Sequence, residues 1–381
     1  MAASVAAPSR LLVRRAEAGD DAARRALMAD VAMDAELALS VRRAPTMAAM
    51  YALHARDWDE WVVEQDGCVA GMGAVLVRDC WLDGARLPVG YLGDLRLAPG
   101  AQGRQVLDRF YGPVLAEARE RWGVEHFLTA IIASNDRARR ALVTRTGRAE
   151  RAGRPRYTLL RDFDIRSIQL VLPLLPERSH WLTRPAVDGD IPAIAALLAC
   201  DGRSRPFGYV YDEREMRRRL ATWPGLGIGS FLVAHSPGGE IVGTLALWDA
   251  APVKETIVMA YRGSMRRVRA MHDALAMLMR RPRLPAPGAP FRYAYATHVA
   301  APQDDPTVLR ALLRAAQRRA RALGLHFVSV CAPRGDAGDA AYRGMIVTNI
   351  RAELHLVTPA DAPVPRFDAR GPMPGFEMAL V

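Results

Sequence analysis

The sequence predicts an α/β protein with mixed sheets (α+β), built from two related domains. The chain has 381 residues, and a single ordinary domain holds only about 150–200. Two short sequence patterns occur twice, in the same order. Strand and helix signals also alternate, so that antiparallel hairpins lead into a β-α-β unit. We therefore expect each domain to be a mostly antiparallel sheet with a central β-α-β unit and flanking helices.

The repeated patterns locate the domains. Residues 14–20 and 184–190 each end a strand, turn at glycine and place an aspartate before a helix. Residues 67–71 and 239–243 both run from glycine to glycine between apolar segments, as a hairpin does. The predicted segments are an N-terminal domain at 1–168, a proline-containing linker at 169–180 and a C-terminal domain at 181–381.

Apolar periodicity and turn residues assign the individual elements. Asp66-Gly67 and Asp83-Gly84 are typical of tight hairpin turns, and Gly123 ends a helix. In the first domain we predict strands at Leu11–Arg15, Trp61–Glu64, Val69–Val77, Val89–Ala98, Glu125–Ala133 and Tyr157–Phe163, and helices at Asp20–Ala38, Val106–Trp122 and Asp136–Thr146. In the second we predict strands at Phe291–Val299 and Leu325–Cys331 around a helix at Pro306–Leu323.

Composition argues against several classes of protein. The net charge is +11, but Lys254 is the only lysine, so the excess of arginine indicates codon bias more than a nucleic-acid surface. No apolar run approaches the ~20 residues of a membrane span, and the N-terminus lacks a signal-peptide pattern. The four cysteines are scattered, which favours reduced core thiols over a disulfide framework or a metal site. We expect a cytoplasmic protein without nucleic-acid or membrane partners.

A loop in the first domain has the features of an anion site. The strand that ends at Pro99 is followed by Gly100-Ala101-Gln102-Gly103-Arg104 and then by a helix. A helix N-terminus presents unpaired N–H groups and the positive end of the helix dipole. Gly100 and Gly103 permit close ligand approach, and Arg104 supplies a guanidinium suited to phosphate.

The element order and this loop resemble the GNAT superfamily of N-acetyltransferases. Leu97-Ala98-Pro99 matches that family's strand ending, and Gln102-Gly103-Arg104 matches the start of its pyrophosphate loop. Gln105 and Leu107 depart from the small residues expected there. The resemblance implies that acetyl-CoA, or another acyl-CoA, is the cosubstrate and that no metal takes part. The implied cofactor contacts are Leu95, Arg96, Leu97, Gln102, Gly103, Arg104, Gln105, Val106, Leu107 and Asn135.

The resemblance also suggests roles for single residues. Backbone groups of Leu95, Arg96 and Leu97 would pair with the pantetheine arm between two splayed strands. Asn135 begins an Asn-x-x-Ala helix start, and it would either contact that arm or cap the helix. Asp94 would act as general base, through water, or would be a structural aspartate. The family's usual acidic tyrosine is absent, since Leu142 and Val143 stand in that region.

The candidates for the missing acid are Tyr111, Tyr157 or water.

The second domain has no glycine between its matching strand and helix, and Asp304 and Asp305 would repel a pyrophosphate. The second domain would complete the fold and form one wall of the acceptor cleft. Met47, Met50 and Tyr51 indicate a flexible apolar segment that, in this family, often borders the acceptor.

Three hypotheses for the function follow. The favoured one is acetyl-CoA-dependent transfer of an acetyl group to a primary amine on a small molecule or peptide, in a monomer or homodimer. The alternatives are a non-catalytic acyl-CoA-binding sensor or accessory protein and, last, a nucleic-acid-binding protein.

Overall fold

The computed structural model describes residues 11–30, 36–101, 106–144, 154–173, 179–302, 305–363, 366–368 and 371–380. The strands are β1 Leu11–Arg15, β2 Leu37–Arg43, β3 Asp57–Gln65, β4 Cys68–Leu82, β5 Ala85–Leu97, β6 His126–Ile132, β7 Arg156–Gln169, β8 Leu182–Pro185, β9 Gly208–Tyr209, β10 Phe231–His235, β11 Ile241–Trp248, β12 Lys254–Tyr261, β13 Tyr293–Ala300, β14 Phe327–Pro333 and β15 Val347–Thr358. The helices are α1 Asp21–Asp30, α2 Met47–His54, α3 Val106–Trp122, α4 Asp136–Ala138, α5 Ile191–Arg203, α6 Glu213–Thr222, α7 Ser264–Leu278 and α8 Pro306–Ala322.

The first repeated pattern forms the same ion pair in both halves. Arg14 donates to the Asp20 carboxylate at 2.8 Å, and Arg184 donates to Asp190 at 2.6 Å. Each aspartate also accepts a backbone N–H three residues earlier, from Glu17 at 2.7 Å and from Val187 at 2.8 Å. The two halves therefore begin with the same strand, turn and helix start, as the sequence predicted.

The second repeated pattern lies in a hairpin in both halves. Residues 67–71 cover the end of the β3–β4 turn and the start of β4, and residues 239–243 cover the end of the β10–β11 turn and the start of β11. In the first hairpin, Asp66 and Gly67 both have positive φ, of 52° and 82°. A two-residue turn with two positive φ angles matches the right-handed twist of its strands, so the Asp-Gly dipeptide forms the tight hairpin that it predicted.

All the described strands except β2 and β12 form one large mixed sheet, and the two halves exchange their last strands within it. The order along the sheet is β1-β3-β4-β5-β6-β15-β7-β14-β13-β11-β10-β8, with β9 pairing beside β4. Thus β7, from the first half, pairs antiparallel with β14, and β15, from the second half, pairs antiparallel with β6. β7 and β15 also pair with each other. Each half therefore needs a strand of the other to complete its sheet.

The first helix is shorter than predicted. α1 ends at Asp30, and Leu37–Arg43 is strand β2 rather than helix. β2 pairs antiparallel with β12 of the second half in a separate two-stranded sheet. The predicted helix Asp20–Ala38 is therefore wrong over its last residues, because a long-range strand partner outweighs the local helical pattern.

Two cores cover the two faces of the first half of the sheet. On one face, Phe110, Val114 and Leu115 of α3 pack on Val75 and its neighbours. On the other face, Met28 of α1 and Met47 and Tyr51 of α2 pack on Tyr91 and Leu128. The apolar segment at residues 47–53 thus forms helix α2, whose N-cap Thr46 accepts a hydrogen bond from Ala49 N at 3.2 Å. No helix among the described residues is long and apolar enough to span a membrane.

Candidate active site

Strands β5 and β6 diverge after a short parallel contact. They pair at Val89–His126, Gly90–Phe127 and Tyr91–Leu128. Beyond this point the Thr129 hydroxyl donates to the Leu92 carbonyl at 2.8 Å. The edge of β5 from residue 93 to residue 97 therefore faces a gap between the two strands. Leu95, Arg96 and Leu97, the predicted backbone contacts, all lie along this gap and are partly exposed.

The same segment of β5 carries a β-bulge at Asp94. Met72 pairs with Arg96, but Ala74 pairs with Gly93, so the ladder with β4 shifts between them. Asp94 has φ of 51°, a left-handed conformation that aspartate and asparagine adopt more readily than most residues. Such bulges change the direction in which a side chain points. Here the bulge interrupts the regular alternation of side chains along β5 at Asp94.

The Asp94 carboxylate lies against two side chains that sequence reasoning did not select as site residues. The Tyr51 hydroxyl donates to it at 2.9 Å, and Arg43 Nη2 lies 3.4 and 3.5 Å from its two oxygens. Burial alone would raise the pKa of Asp94, but the positive charges of Arg43 and Arg96 and the Tyr51 hydrogen bond outweigh it. The pKa of Asp94 therefore lies below its ordinary value, and the group is ionised at neutral pH.

Lys254 also belongs to this cluster. It pairs with Arg43 across the β2–β12 ladder, and its ammonium lies 5.0 Å from the centre of the Tyr295 ring. Burial, followed by the neighbouring Arg43 charge, lowers the pKa of Lys254 to about 7, although Asp94 opposes the shift. The cluster therefore combines residues from both halves of the chain.

The predicted phosphate loop is only partly described. Gln102, Gly103, Arg104 and Gln105 lie outside the described residues. Val106 and Leu107 follow at the start of α3, where Val106 is buried and Leu107 is partly exposed. Asp108 in the first turn of α3 would oppose an anion, but Arg154 forms an ion pair with it.

Asn135 caps a helix. Its side-chain oxygen accepts a hydrogen bond from Ala138 N at 3.0 Å at the start of α4. This is the capping alternative, and it leaves the other Asn135 atoms exposed beside the end of β6. The predicted helix Asp136–Thr146 is a single α-turn continued by a π-turn at Arg139–Val143.

The two tyrosines considered as acids lie together, away from Asp94. Tyr157 donates to the Tyr111 hydroxyl at 2.7 Å. Both pack in the core on the α3 face, whereas Tyr51, the partner of Asp94, packs on the opposite face. Burial raises the pKa of Tyr111 to about 12 and that of Tyr157 further still. The structure therefore does not bring either tyrosine together with Asp94.

Part of the first half is similar to a known family. Residues 28–147 match the family described as the acetyltransferase (GNAT) family. This segment contains the bulge at Asp94, the diverging strands and the start of α3. No curated protein sequence is significantly similar to the chain.

Solved structures place the whole chain in the tandem GNAT fold. The chain is similar to a tandem GNAT protein from the clavulanic acid biosynthesis pathway (TM-score 0.51, 14% identity, 93% of this chain and 100% of that one). It is also similar to N-myristoyltransferase of Saccharomyces cerevisiae with bound myristoyl-CoA (TM-score 0.57, 10% identity, 91% and 82%). A third match is a GCN5-related glucosamine N-acetyltransferase region in a fungal multi-domain GH3 β-N-acetylglucosaminidase (TM-score 0.60, 13% identity, 92% of this chain). The chain spans 38% of that fungal protein.

The second half repeats the GNAT bulge with different chemistry. β13 and β14 pair in parallel only from Tyr293–Phe327 to Tyr295–Ser329, and the β11–β13 ladder shifts between Thr244 and Ala246. At the bulge stands His298, with φ of 50°. It is buried, and both burial and the nearby Arg219 hold its pKa well below the ordinary value. The second half therefore presents a neutral imidazole where the GNAT domain presents a carboxylate.

In the second half, the N-terminus of helix α8 is capped by a side chain of the protein itself. Asp305 accepts hydrogen bonds from the backbone N–H and the hydroxyl of Thr307 at the start of α8. Gln303 and Asp304 lie outside the described residues. An aspartate cap places negative charge where a phosphate would bind. No group of three or more metal-ligating side chains occurs among the residues that the structure describes.

The buried His298 gives a testable dependence of stability on pH. Its pKa is depressed in the folded state, so only the unfolded chain takes up its proton as the pH falls below about 6.5. The free energy of unfolding should therefore fall by about 1.4 kcal/mol per pH unit for this residue. Glu377 acts in the opposite sense, because burial raises its pKa to about 7.

A comparison of variants isolates the histidine. His298→Asn keeps a residue that tolerates positive φ, and it should reduce the loss of stability between pH 6.5 and 5.5 by about 1 kcal/mol, since the unfolded histidine is only half protonated at pH 6.5. Urea unfolding of both proteins across this range measures the difference. Equal slopes for wild type and variant would show that His298 is protonated in the folded protein.

Proposed function

We propose that the chain is an N-acyltransferase that moves an acetyl group from acetyl-CoA to a primary amine. The observation that carries this proposal is the bulge at Asp94 beside the gap between β5 and β6. A gap between splayed strands suits an extended pantetheine arm, and the bulge places an ionised carboxylate next to it. The GNAT match over residues 28–147 supports the same reading.

The residues of the first half fit such a cosubstrate in part. The backbone of Leu95, Arg96 and Leu97 would pair with the amides of the pantetheine arm, and the N-terminus of α3 at Val106 and Leu107 would face the pyrophosphate. Residues 102–105 would complete the phosphate contacts, and the exposed Asn135 would border the arm. The thioester supplies an activated acyl group and a thiolate leaving group.

The proposed reaction needs a neutral amine. Asp94, acting through water, accepts the proton that an ammonium must lose to become a neutral amine. The nitrogen then forms a bond to the carbonyl carbon while the carbon–sulfur bond breaks. The second proton that the nitrogen loses on becoming an amide passes through water to the leaving thiolate, since Tyr111 and Tyr157 lie on the other face of the sheet. The products are an amide and the free thiol.

Two measurements test this proposal. With acetyl-CoA at 100 times its dissociation constant, the native state should gain about 2.7 kcal/mol, which a thermal-shift assay detects. Release of free thiol with a panel of primary amines then measures transfer. ATP at the same concentration is the control for general anion binding. If acetyl-CoA gives no more stabilisation than ATP, the chain is not an acetyl-CoA-dependent enzyme.

One observation favours a non-catalytic acyl-CoA-binding protein as second candidate. The Asp94 carboxylate is held by Tyr51 and Arg43, and its pKa is lowered, so it is a weaker base than a free aspartate. Such a protein would be stabilised by acetyl-CoA, but no amine in the panel would speed thiol release. Stabilisation with turnover supports the enzyme, and stabilisation without turnover supports the sensor.

A further inference from the structure

Arg43 is a buried cation with unused hydrogen-bond donors. The residue is 2% exposed. Its Nε and Nη1 atoms make no hydrogen bond to any residue in the described part of the chain. Its Nη2 lies 3.4 and 3.5 Å from the Asp94 oxygens, whereas a strong guanidinium–carboxylate bond measures about 2.7–2.9 Å. Asp94 therefore satisfies Arg43 only in part, and buried donors without partners are costly.

The surroundings of Arg43 carry more positive than negative charge. Arg43, Arg96 and Lys254 all act on the single carboxylate of Asp94. The nearby acid Glu377 is partly buried, and desolvation raises its pKa to about 7. A buried surplus of positive charge is unfavourable unless an anion balances it. Lys254 and Glu377 both have a pKa of about 7 and offset each other. Arg43 and Arg96 therefore face the one carboxylate of Asp94, and the cluster is one negative group short of balance.

The position of Arg43 indicates where that anion comes from. Asp94 stands at the bulge beside the proposed acyl-CoA site, and its side chain keeps 11% of its surface exposed. An acceptor amine that reaches this carboxylate brings its other substituents next to the guanidinium. A molecule with an ammonium and a carboxylate on one carbon can meet Asp94 and Arg43 at the same time.

We propose that the acceptor is an α-amino acid, whose carboxylate Arg43 binds while its amine lies at Asp94. This inference rests on the proposed function and names the substrate class of that site. The ammonium gives one proton to Asp94, the neutral amine forms the new amide bond, and the second proton passes through water to the thiolate. The carboxylate remains ionised against Arg43 throughout. Arg43 therefore contributes to selecting and orienting the acceptor. The product is an N-acetyl amino acid, and the free thiol leaves.

The test compares acids with their amides. The probes are the common L-α-amino acids and the corresponding L-amino acid amides, each with acetyl-CoA, and product is measured by mass spectrometry. For the wild type, kcat/KM should be at least about 10-fold higher for the best acid than for its amide. Arg43→Gln should reduce this ratio to about one, mainly through a higher KM for the acid, because the substrate carboxylate no longer has a guanidinium to bind.

A matched control lies on the same strand. Arg42 is exposed and pairs with Glu255 on the surface, so Arg42→Gln should keep the wild-type preference for acids. Acetyl-CoA stabilisation should be unchanged in both variants. Equal rates for acids and amides in the wild type, or an unchanged preference in Arg43→Gln, would overturn the inference and leave the proposed function standing. Absence of acetyl-CoA stabilisation in the wild type would instead count against the proposed function.

Discussion

Asp94→Asn is expected to lower kcat for amine acetylation by at least about 100-fold, because an amide cannot accept the proton that the base removes. Asparagine is the suitable replacement, since it tolerates the positive φ of 51° at this position and can still accept the Tyr51 hydrogen bond. The measurement is steady-state thiol release with the best amine acceptor. The loss should appear in kcat more than in KM.

The controls separate chemistry from folding. Asp83→Asn makes the same change at another aspartate with positive φ, in an exposed hairpin turn, and should leave turnover unchanged. Asp94→Asn will lower stability by about 1–3 kcal/mol, because Arg43 loses its carboxylate. The double variant Arg43→Gln/Asp94→Asn removes that unpaired charge, and it should regain stability without regaining turnover. Turnover by Asp94→Asn within about threefold of wild type would refute the assignment of the base.

The second large effect concerns the exchanged strands. Chains covering residues 1–173 and 174–381 are each expected to fail to fold when expressed alone. β6 would lack its partner β15 in the first, and β14 would lack β7 in the second. Unpaired strands expose backbone groups and apolar faces and promote aggregation. Expressed together, the two fragments should form a soluble complex that acetyl-CoA stabilises.

Calorimetry and gel filtration measure this outcome. A full-length protein with a protease site between residues 173 and 179 is the control, and after cleavage it should elute at the size of the intact chain. A cooperative unfolding transition in residues 1–173 alone, near that of the whole chain, would contradict the expectation. In that case the first half would be an autonomous domain despite its missing strand.

Local sequence patterns predicted much of this fold. Leu11–Arg15 and Val106–Trp122 have the predicted bounds, since apolar periodicity and capping residues act over a few positions. The repeats also predicted the related halves, because the same Arg-Asp pair and hairpin recur. Leu37–Arg43 was missed, because its strand partner β12 lies more than two hundred residues later. No pattern within a short window carries that information.

Only part of the candidate site could be predicted, because long-range packing limits the site as it limits the fold. Asp94 was selected from its place on the strand before the loop, and the structure puts it at a bulge. Arg43 and Lys254 were not selected, because they come from two other strands that tertiary packing brings together. Tyr51 was named only as part of the segment expected to border the acceptor. Lys254 did offer a signal. It is the only lysine in a chain otherwise rich in arginine.

The exchange of β7 and β15 also governs when the chain can fold during synthesis. A ribosome adds residues from the N-terminus at about 5–20 per second, and β15 ends at Thr358. The first half therefore emerges long before the strand that pairs with β6 exists. During that interval the edge of β6 has no strand partner, and the sheet of the first half is incomplete. The sheet of the first half can therefore be completed only after β15, ending at Thr358, has left the ribosome.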